Sequence, residues 1–509
     1  MAPARGDRRR GAPEPVGWLA RPRVGAGLIF LAACVVYANS LGGEFVFDDT
    51  SIVLNNPQIR GLGFANLKQI FGSHYWQTAA GQGGLYRPVV ILSYAVNYAL
   101  GGLEPAGYHC VNVLLHAANA SLVFLLIEEL FRNRLFAFWS GLLFALHPIR
   151  SEAVAYVVGR SEALAAFFFF LAWWLYLKRR LAPAAGAFLL AVWSKESAFT
   201  LLAVLPLSDF ASRRGWGREA LWRYAPFAAA VVAAIGVRYA VLGGAAPLQI
   251  SHAANPLAAA ALGPRLLTAA AVFGRYLWLL VFPVPLSADY SFNQIPVLAS
   301  LWTAAFLISA VALVSLIVGA AWAARRSPPL FFCGVFFFAT FSLTSNFIRP
   351  IGTIMAERLL YLPSLGFTCA IAYALAHARR RDVAQAAGAL LALLYAGRTV
   401  ARNADWRDHL AVFSSAAVVS PDSALVRANL AHALLSRRRD AAGAAEHARE
   451  AIRIEPGDPA AYMTLAQAYE MLGDLRRATQ AYEQVERLVP GTAGAIEAAR
   501  RREGIGGRF

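Results

Sequence analysis

Long apolar runs without Asp, Glu, Lys or Arg recur through the first 400 residues of the chain. A helix of about 20 apolar residues crosses the hydrocarbon core of a bilayer, so each long run predicts a membrane span. The long runs cover residues 24–43, 105–127, 290–324, 327–348 and 359–378. Shorter apolar runs, which predict short, tilted or broken spans, cover residues 163–177, 181–194, 197–208 and 383–397. The pattern predicts an all-α, polytopic membrane helical bundle.

From residue 403 the pattern changes to alanine, arginine and glutamate at helical spacing. Pro421, Pro456 and Pro490 recur at a period of 34 to 35 residues. That period, with its small, aromatic and turn positions, is typical of tetratricopeptide repeats. We therefore predict a C-terminal tetratricopeptide-repeat α-solenoid over 403–502, with units at about 422–456 and 457–490. Because three repeats are usually needed for independent stability, we expect it to pack on the membrane domain or on a partner.

These boundaries define a membrane domain at 24–402, preceded by a disordered, basic cytoplasmic tail at 1–23 and followed by a flexible tail at 503–509. The net charge is +17, but the basic clusters flank the apolar runs. That is the positive-inside pattern of membrane proteins, and no nucleic-acid-binding motif accompanies it. Nucleic acid is therefore excluded as a partner. The four cysteines fall in apolar spans without metal-ligand spacing, so we assign no metal ligand.

Unusual polar residues concentrate in loops that contain few Lys and Arg residues. These loops are 44–86, 147–162, 195–196 and 346–358. If the basic clusters mark the cytoplasm, all of these loops face the opposite side. Residues 266–282 decide where the repeats lie. An interfacial segment there keeps the repeats on the side of the loops, whereas a crossing moves them to the cytoplasm, and we favour the interfacial position.

Asp48 and Asp49 follow the first predicted span. Acidic residues near a membrane are energetically costly and therefore mark candidate functional sites. A carboxylate within hydrogen-bond reach of an acceptor hydroxyl can remove its proton as a general base. The alternative is that the pair caps a loop or solvates the helix end. Sequence adjacency leaves open which of the two is the base.

An ordered set of motifs extends from about residue 40 to residue 370. The motifs are Phe45-Val46-Phe47-Asp48-Asp49, Tyr86-Arg87-Pro88, Tyr108-His109 with Asn112 and His116, His147-Pro148 with Glu152, Gly159-Arg160 with Glu162, Lys195-Glu196, and Ala356-Glu357-Arg358 with Tyr361. The set resembles the transmembrane and tetratricopeptide-repeat-containing family of the glycosyltransferase C superfamily. The resemblance implies a polyprenyl-phosphate sugar donor, with mannose as the expected sugar, and the acidic pair suits an inverting transfer. This chain has about two repeats, far fewer than the eukaryotic relatives, which leaves the acceptor open.

A lipid-phosphate leaving group requires a cation, and arginine holds phosphate in a bidentate geometry. The candidates are Arg358, Arg87 and Lys195. Each could instead pair with a nearby acid, as Lys195 with Glu196 or Arg358 with Glu357. The further candidates to line the site are His109, His147, Glu152, Arg160 and Glu357. His109 and His116 share one helix face, and hydrogen bonds between helices are the favoured role for both.

We therefore expect an integral-membrane glycosyltransferase that moves a monosaccharide from polyprenyl phosphate to a protein Ser/Thr hydroxyl or a surface glycan. Its expected partners are the lipid-linked sugar, the acceptor, membrane lipid and a protein bound through the repeats. No cofactor is expected, and dependence on a divalent metal stays open. The expected location is the cell inner membrane, with the active-site loops and the repeats in the periplasm. A transporter or flippase and a non-catalytic scaffold for envelope assembly are the alternatives.

Overall fold

The computed structural model describes residues 21–76, 84–215, 217–244 and 250–506. Within these ranges the regular structure is helical, with no strand. The main helices are α1 (Pro22–Tyr37), α2 (Phe64–Phe71), α3 (Pro88–Gly101), α4 (Pro105–Phe131), α5 (Arg134–Leu146), α6 (Ser151–Ala155), α7 (Arg160–Leu177), α8 (Leu181–Ser194), α9 (Leu201–Ala211), α10 (Arg218–Leu242) and α11 (Leu262–Val281). They continue as α12 (Ala304–Arg326), α13 (Pro328–Phe341), α14 (Ser364–His377), α15 (Arg381–Asp405), α16 (His409–Val419), α17 (Ala424–Ala433), α18 (Ala441–Ile454), α19 (Pro459–Met471), α20 (Leu475–Leu488) and α21 (Ala493–Gly506).

Seven of the described helices are long and apolar enough to cross a membrane. They are α1, α4, α7, α10, α11, α12 and α15, with α1 counted to Gly42. Shorter apolar helices, including α5, α8, α13 and α14, pack among them and form one large apolar core. The predicted fold class, an all-α polytopic membrane bundle followed by helical repeats, is confirmed.

The polar loops meet at one end of this bundle, as the charge pattern predicts. The carboxylate of Asp49 accepts a hydrogen bond from the backbone N–H of Val158 at 2.9 Å. Arg87 forms an ion pair with Glu196, and Arg358 forms one with Glu152. Four segments far apart in the sequence therefore share one face, which we call the site face.

Helix α11 is long enough to cross the membrane, but both of its flanks lie at the site face. After the helix, Phe292 N–H donates to the carbonyl of Ala253, which precedes it, at 2.9 Å. Near the end of the helix, the carbonyl of Leu280 lies 2.9 Å from Nε2 of His147. The segments before and after α11 therefore meet at the site face, and the interfacial position favoured above stays a prediction.

The repeats pack on the site face through a polar contact around the start of α17. The hydroxyl of Ser423 donates to Asp289 Oδ2 at 2.7 Å, and the hydroxyls of Ser420 and Ser287 are 2.9 Å apart. Backbone hydrogen bonds join the same segments, because Ala424 N–H donates to the Phe292 carbonyl at 2.8 Å. The small number of repeats predicted packing either on the membrane domain or on a partner. The structure shows packing on the membrane domain.

An apolar contact reinforces this docking beside the acidic pair. The ring of Phe413 on α16 meets the ring of Phe47 edge to face, with centroids 5.7 Å apart. Both rings belong to an apolar cluster that also contains Val46, Tyr156 and Trp406. The start of the repeat domain is therefore part of the packing that holds the segment 45–49 in place.

The two predicted tails lie mostly outside the described residues, which begin at 21 and end at 506. At the C-terminal end the structure differs from the prediction. Helix α21 continues to Gly506, so residues 503–506 are helical rather than part of a tail. The reason is packing, because Ile505 is buried in the apolar cluster of the repeats.

Candidate active site

A cavity of about 940 Å³ opens at the site face. Four of the residues singled out in the sequence line it: Asp48, Arg87, Lys195 and Arg358. Other polar lining residues include Tyr75, Trp76, Tyr156, Glu196, Arg238 and Arg349. Five cations and two acids thus surround one space, which is an arrangement suited to a negatively charged ligand.

Asp48 and Asp49 differ sharply in their surroundings. Asp49 is fully buried, and its two carboxylate oxygens accept 2.9 Å hydrogen bonds from the backbone N–H groups of Val46 and Val158. Asp48 is half-buried and lines the cavity. Phe47, which precedes them, has a left-handed backbone (φ 51°), uncommon for a residue other than glycine. This turn separates the environments of two adjacent side chains.

Asp48 has an electrostatic environment suited to a base. Burial raises the pKa of its carboxyl, while the nearby Arg358 guanidinium and the Tyr156 hydroxyl lower it. The Tyr156 hydroxyl also accepts a hydrogen bond from the Asp48 backbone N–H at 3.0 Å. No acid–base ion pair involves Asp48 among the residues that the structure describes, so its carboxyl stays available to a ligand.

Gly159 explains how Val158 reaches Asp49. A Cβ atom at Gly159 would lie 2.5 Å from the carbonyl oxygen of Glu152 and 2.8 Å from the Cα of Ala153. Only glycine therefore allows the tight turn between α6 and α7. That turn carries both Val158, which binds Asp49, and Tyr156, which contacts Asp48.

Arg358 pairs with Glu152 rather than with its neighbour Glu357. Glu152 is fully buried, and its carboxylate accepts from the Arg358 backbone N–H at 2.8 Å and from the guanidinium. The Arg358 side chain keeps 27% of its surface exposed. Burial lowers the pKa of Arg358, but the carboxylates of Glu152 and Asp48 raise it above its usual range. Arg358 therefore stays charged between the two acids.

Glu357 faces away from the cavity and belongs to the contact with the repeats. Its Oε1 accepts from the Ser287 N–H at 2.6 Å and from the Tyr290 hydroxyl at 2.8 Å. Its Oε2 lies 3.5 Å from Arg402. Burial raises the pKa of Glu357 to about 7, against the opposing effect of Arg402. Glu357 is thus held by Ser287, Tyr290 and Arg402 and not by Arg358.

The other two predicted phosphate ligands are also paired. Arg87 Nη2 lies 2.8 Å from Glu196, which Arg238 also approaches at 3.3 Å. Lys195 pairs with Glu162 on α7 and not with its neighbour Glu196. In each case the partner is remote in sequence, because adjacent side chains leave the backbone in different directions.

Arg160 is fully buried behind Asp49 and is held by neutral groups. Its guanidinium donates to the side chains of Asn112 at 2.7 Å and Asn97 at 2.6 Å, and to the carbonyl of Tyr108 at 2.8 Å. These partners lie on α3 and α4, so Arg160 ties three helices together. It does not line the cavity.

The three histidines of the motifs are buried in helix packing rather than in the cavity. His116 lies 2.8 Å from the Tyr361 hydroxyl and 3.0 Å from the Ala145 carbonyl, a hydrogen bond between helices as predicted. His147 accepts from the Ile149 N–H at 3.2 Å and contacts Leu280, and it caps a short 3₁₀ turn. His109 packs against Gly43. Within the described ranges no cluster of three His, Cys, Asp or Glu side chains could hold a metal ion.

Sequence reasoning missed several residues that line the cavity, among them Arg238, Tyr156 and Arg349. Arg238 follows 14 residues of α10 that contain no charge, and a cation at such a place in a span is itself a functional signal. Tyr156 and Arg349 lie within polar loops already singled out, but no spacing rule distinguished them from their neighbours. Their place at the cavity follows from tertiary packing.

The fold and this cavity define a class: a multi-pass helical membrane protein with a charged cavity on one face and tetratricopeptide repeats docked beside it. The family model described as "Protein O-mannosyl-transferase TMTC, DUF1736" matches residues 244–317, and a tetratricopeptide-repeat model matches residues 435–502. The resemblance to the transmembrane and tetratricopeptide-repeat-containing family is thereby confirmed.

Individual relatives extend the similarity along the chain. It is 29% identical to Protein O-mannosyl-transferase Tmtc3 of Drosophila melanogaster, over 91% of this chain and 58% of that protein. It is 29% identical to Protein O-mannosyl-transferase TMTC3 of Mus musculus, over 90% of this chain and 54% of the relative. The Homo sapiens TMTC3 protein is 27% identical over the same shares. The chain thus spans little more than half the length of these relatives. No solved structure matches the chain.

Proposed function

We propose that this protein is an integral-membrane glycosyltransferase that moves mannose from a polyprenyl-phosphate donor to a Ser or Thr hydroxyl of a protein. The observation that carries the proposal is Asp48, an acid that forms no ion pair with any described residue and lies at the wall of a cavity lined by five cations. The names of the relatives, which are protein O-mannosyl-transferases, support mannose and a protein acceptor.

In the proposed reaction Asp48 is the general base. The acceptor oxygen attacks the anomeric carbon of the sugar while the Asp48 carboxylate takes the hydroxyl proton. The new carbon–oxygen bond forms as the bond from the anomeric carbon to the phosphate oxygen breaks, and the electron pair leaves on the lipid phosphate. Attack opposite the leaving group inverts the anomeric centre. A burial-raised pKa makes Asp48 a stronger base.

The lining cations would stabilise the phosphate as its negative charge grows. Arg358 is the cation that acts most strongly on Asp48, so it can also keep the base ionised until the acceptor arrives. Fixed charges in a site with little water stabilise developing charge more effectively than in bulk water. Arg358 would therefore act both on the base, Asp48, and on the leaving phosphate.

The repeats would hold the acceptor protein beside the base. A groove of about 410 Å³ in the repeats is lined by His432, Ser436, Gln467, Glu470 and Arg501 among other residues. The rim of the repeats reaches the segment before Asp48, because Arg437 lies 2.7 Å from Glu44. We propose that this face lies on the periplasmic side of the inner membrane, because a lipid-linked donor serves a compartment without nucleotide sugars.

A transfer assay tests the proposal. Purified full-length protein in nanodiscs is supplied with radiolabelled polyprenyl-phosphate mannose and a mixture of Ser/Thr peptides, and labelled peptide is measured. Asp48→Asn is the matched inactive control. Transfer of label to peptide by the wild type but not by Asp48→Asn supports the proposal. Movement of the lipid across a proteoliposome membrane without transfer would instead favour a flippase, and neither event would favour a scaffold.

A further inference from the structure

We infer that Arg349 is the cation that directly contacts the phosphate of the lipid-linked donor, while the acid-paired cations of the cavity, Arg358 included, act on that phosphate through their charge. This inference rests on the proposed function and deepens it. It differs from the sequence-based expectation, which assigns the phosphate to Arg358, Arg87 and Lys195.

The first support is the distribution of acid partners around the cavity. Arg358 is matched by Glu152, Lys195 by Glu162, and Arg87 together with Arg238 by Glu196. Arg349 lines the same cavity, is exposed, and forms no ion pair with any acid in the described ranges. Because an existing carboxylate competes with a phosphate for the same guanidinium, the cation without a partner is the one free to bind a ligand.

The second support is the position of Arg349 at an apolar edge of the cavity. Ile348 is 67% exposed, and Leu343, which also lines the cavity, is 41% exposed. Exposed apolar side chains at the end of a span suit contact with lipid better than contact with water. Arg349 lies between these exposed apolar side chains and the polar cavity, a position suited to the phosphate of a lipid whose chain stays in the hydrocarbon.

The loop that carries Arg349 is firmly anchored at its base. The Asn346 side chain donates to the carbonyls of Thr353 and Ile354 at 3.2 and 3.0 Å, and it accepts from the Ile351 N–H at 2.9 Å. Asn255, which precedes α11, donates to the same side chain at 3.0 Å. The base of the loop is thus fixed while the arginine at its tip stays free to meet a ligand.

The chemistry of the donor agrees with an arginine at this place. A sugar phosphodiester carries one negative charge, and the polyprenyl phosphate released by transfer gains up to one more. A guanidinium binds phosphate oxygens in a bidentate geometry that a lysine ammonium cannot reproduce. Arg349 should therefore bind the released phosphate more strongly than the intact donor.

Equilibrium binding of a fluorescent short-chain polyprenyl phosphate to the full-length protein tests this inference. The protein is held in nanodiscs of zwitterionic lipid as wild type, Arg349→Ala, Arg349→Lys and Arg407→Ala. Arg407 is the matched control, because its side chain is 71% exposed and pairs with Asp408 away from the cavity. We expect Arg349→Ala to weaken binding about 10- to 100-fold, the effect of one charge-assisted contact. Arg349→Lys should be intermediate, and Arg407→Ala should bind as the wild type does.

Competition arms identify the source of the phosphate. Excess inorganic phosphate or phosphatidylglycerol should displace the probe poorly in the wild type. Displacement by either competitor at the concentration of the probe would overturn the assignment to a polyprenyl phosphate. Wild-type affinity of Arg349→Ala for the probe would overturn the assignment of the phosphate to Arg349. If the wild type transfers mannose and binds the probe but Arg349→Ala binds equally well, the inference fails alone. If the wild type neither binds nor transfers, the proposed function fails with it.

Discussion

Asp48 and Asp49 are consecutive in the chain, yet their side chains have different environments. Asp49 is fully buried and accepts hydrogen bonds from the backbone N–H groups of Val46 and Val158, whereas Asp48 lines the charged cavity. A buried carboxylate that already accepts two backbone hydrogen bonds is a structural anchor. The two residues therefore divide the tasks that the sequence left shared between them.

Asp48→Asn and Asp49→Asn should fail in different ways. Loss of a general base costs about 10²–10⁴-fold in rate, so Asp48→Asn should abolish transfer and leave the melting temperature unchanged. Asp49→Asn leaves one backbone N–H facing an amide NH₂ group, which costs about 1–3 kcal/mol of stability. Transfer rate and thermal unfolding in detergent, measured on both variants, check this. Equal loss of stability in both variants would contradict the assignment.

Tyr156→Phe should change the pH dependence of transfer. Burial raises the pKa of Asp48, and the Tyr156 hydroxyl is one of the groups that lower it. Removing the hydroxyl raises that pKa further, and a base must be unprotonated to act. The acidic limb of the pH–rate profile should therefore move to higher pH, with activity recovered at alkaline pH. Tyr86→Phe, at a hydroxyl that binds the Phe71 carbonyl away from Asp48, is the control and should leave the limb in place.

Arg358 should contribute separately to folding and to transfer. Arg358→Ala leaves the fully buried Glu152 without its cation. We expect this to lower the free energy of unfolding by about 3 kcal/mol. That value is at the low end of the range for broken buried pairs, because 27% of the arginine side chain is exposed. The double substitution Arg358→Gln with Glu152→Gln removes both charges and should recover most of the melting temperature. Transfer should stay low in both proteins. Recovery of transfer in the double variant would limit Arg358 to a structural role.

Labelling of single cysteines should place the site face. Ser436 is exposed in the repeats, and Ser212 is exposed at the end of α9, beside the arginines of residues 213–223. The cysteines are introduced into a background without Cys34, Cys110, Cys333 and Cys369. A membrane-impermeant reagent should label Ser436→Cys in intact cells with a permeable outer membrane, and Ser212→Cys only after lysis. The reverse pattern would place the cavity and the repeats in the cytoplasm.

The sequence by itself determined the architecture of this protein, because hydropathy and repeat period are local properties. Uncharged runs predicted the spans, a 34-residue period predicted the repeats, and basic clusters predicted that the polar loops share one face. The acidic pair and the cations of the motifs were also found, since charges beside apolar runs are costly and therefore conspicuous. Asp48, Arg87, Lys195 and Arg358 all line the cavity.

Only the tertiary structure decided which partner each charge has. Adjacent residues suggested Lys195 with Glu196 and Arg358 with Glu357, but the pairs are Lys195 with Glu162 and Arg358 with Glu152. Ion pairing depends on distances across the bundle, and sequence spacing measures distance only within one helix or turn. The same reason hid Arg349, which is singled out because it has no acid partner in the part of the chain that the structure describes. A missing partner becomes visible only when every neighbouring residue has been placed.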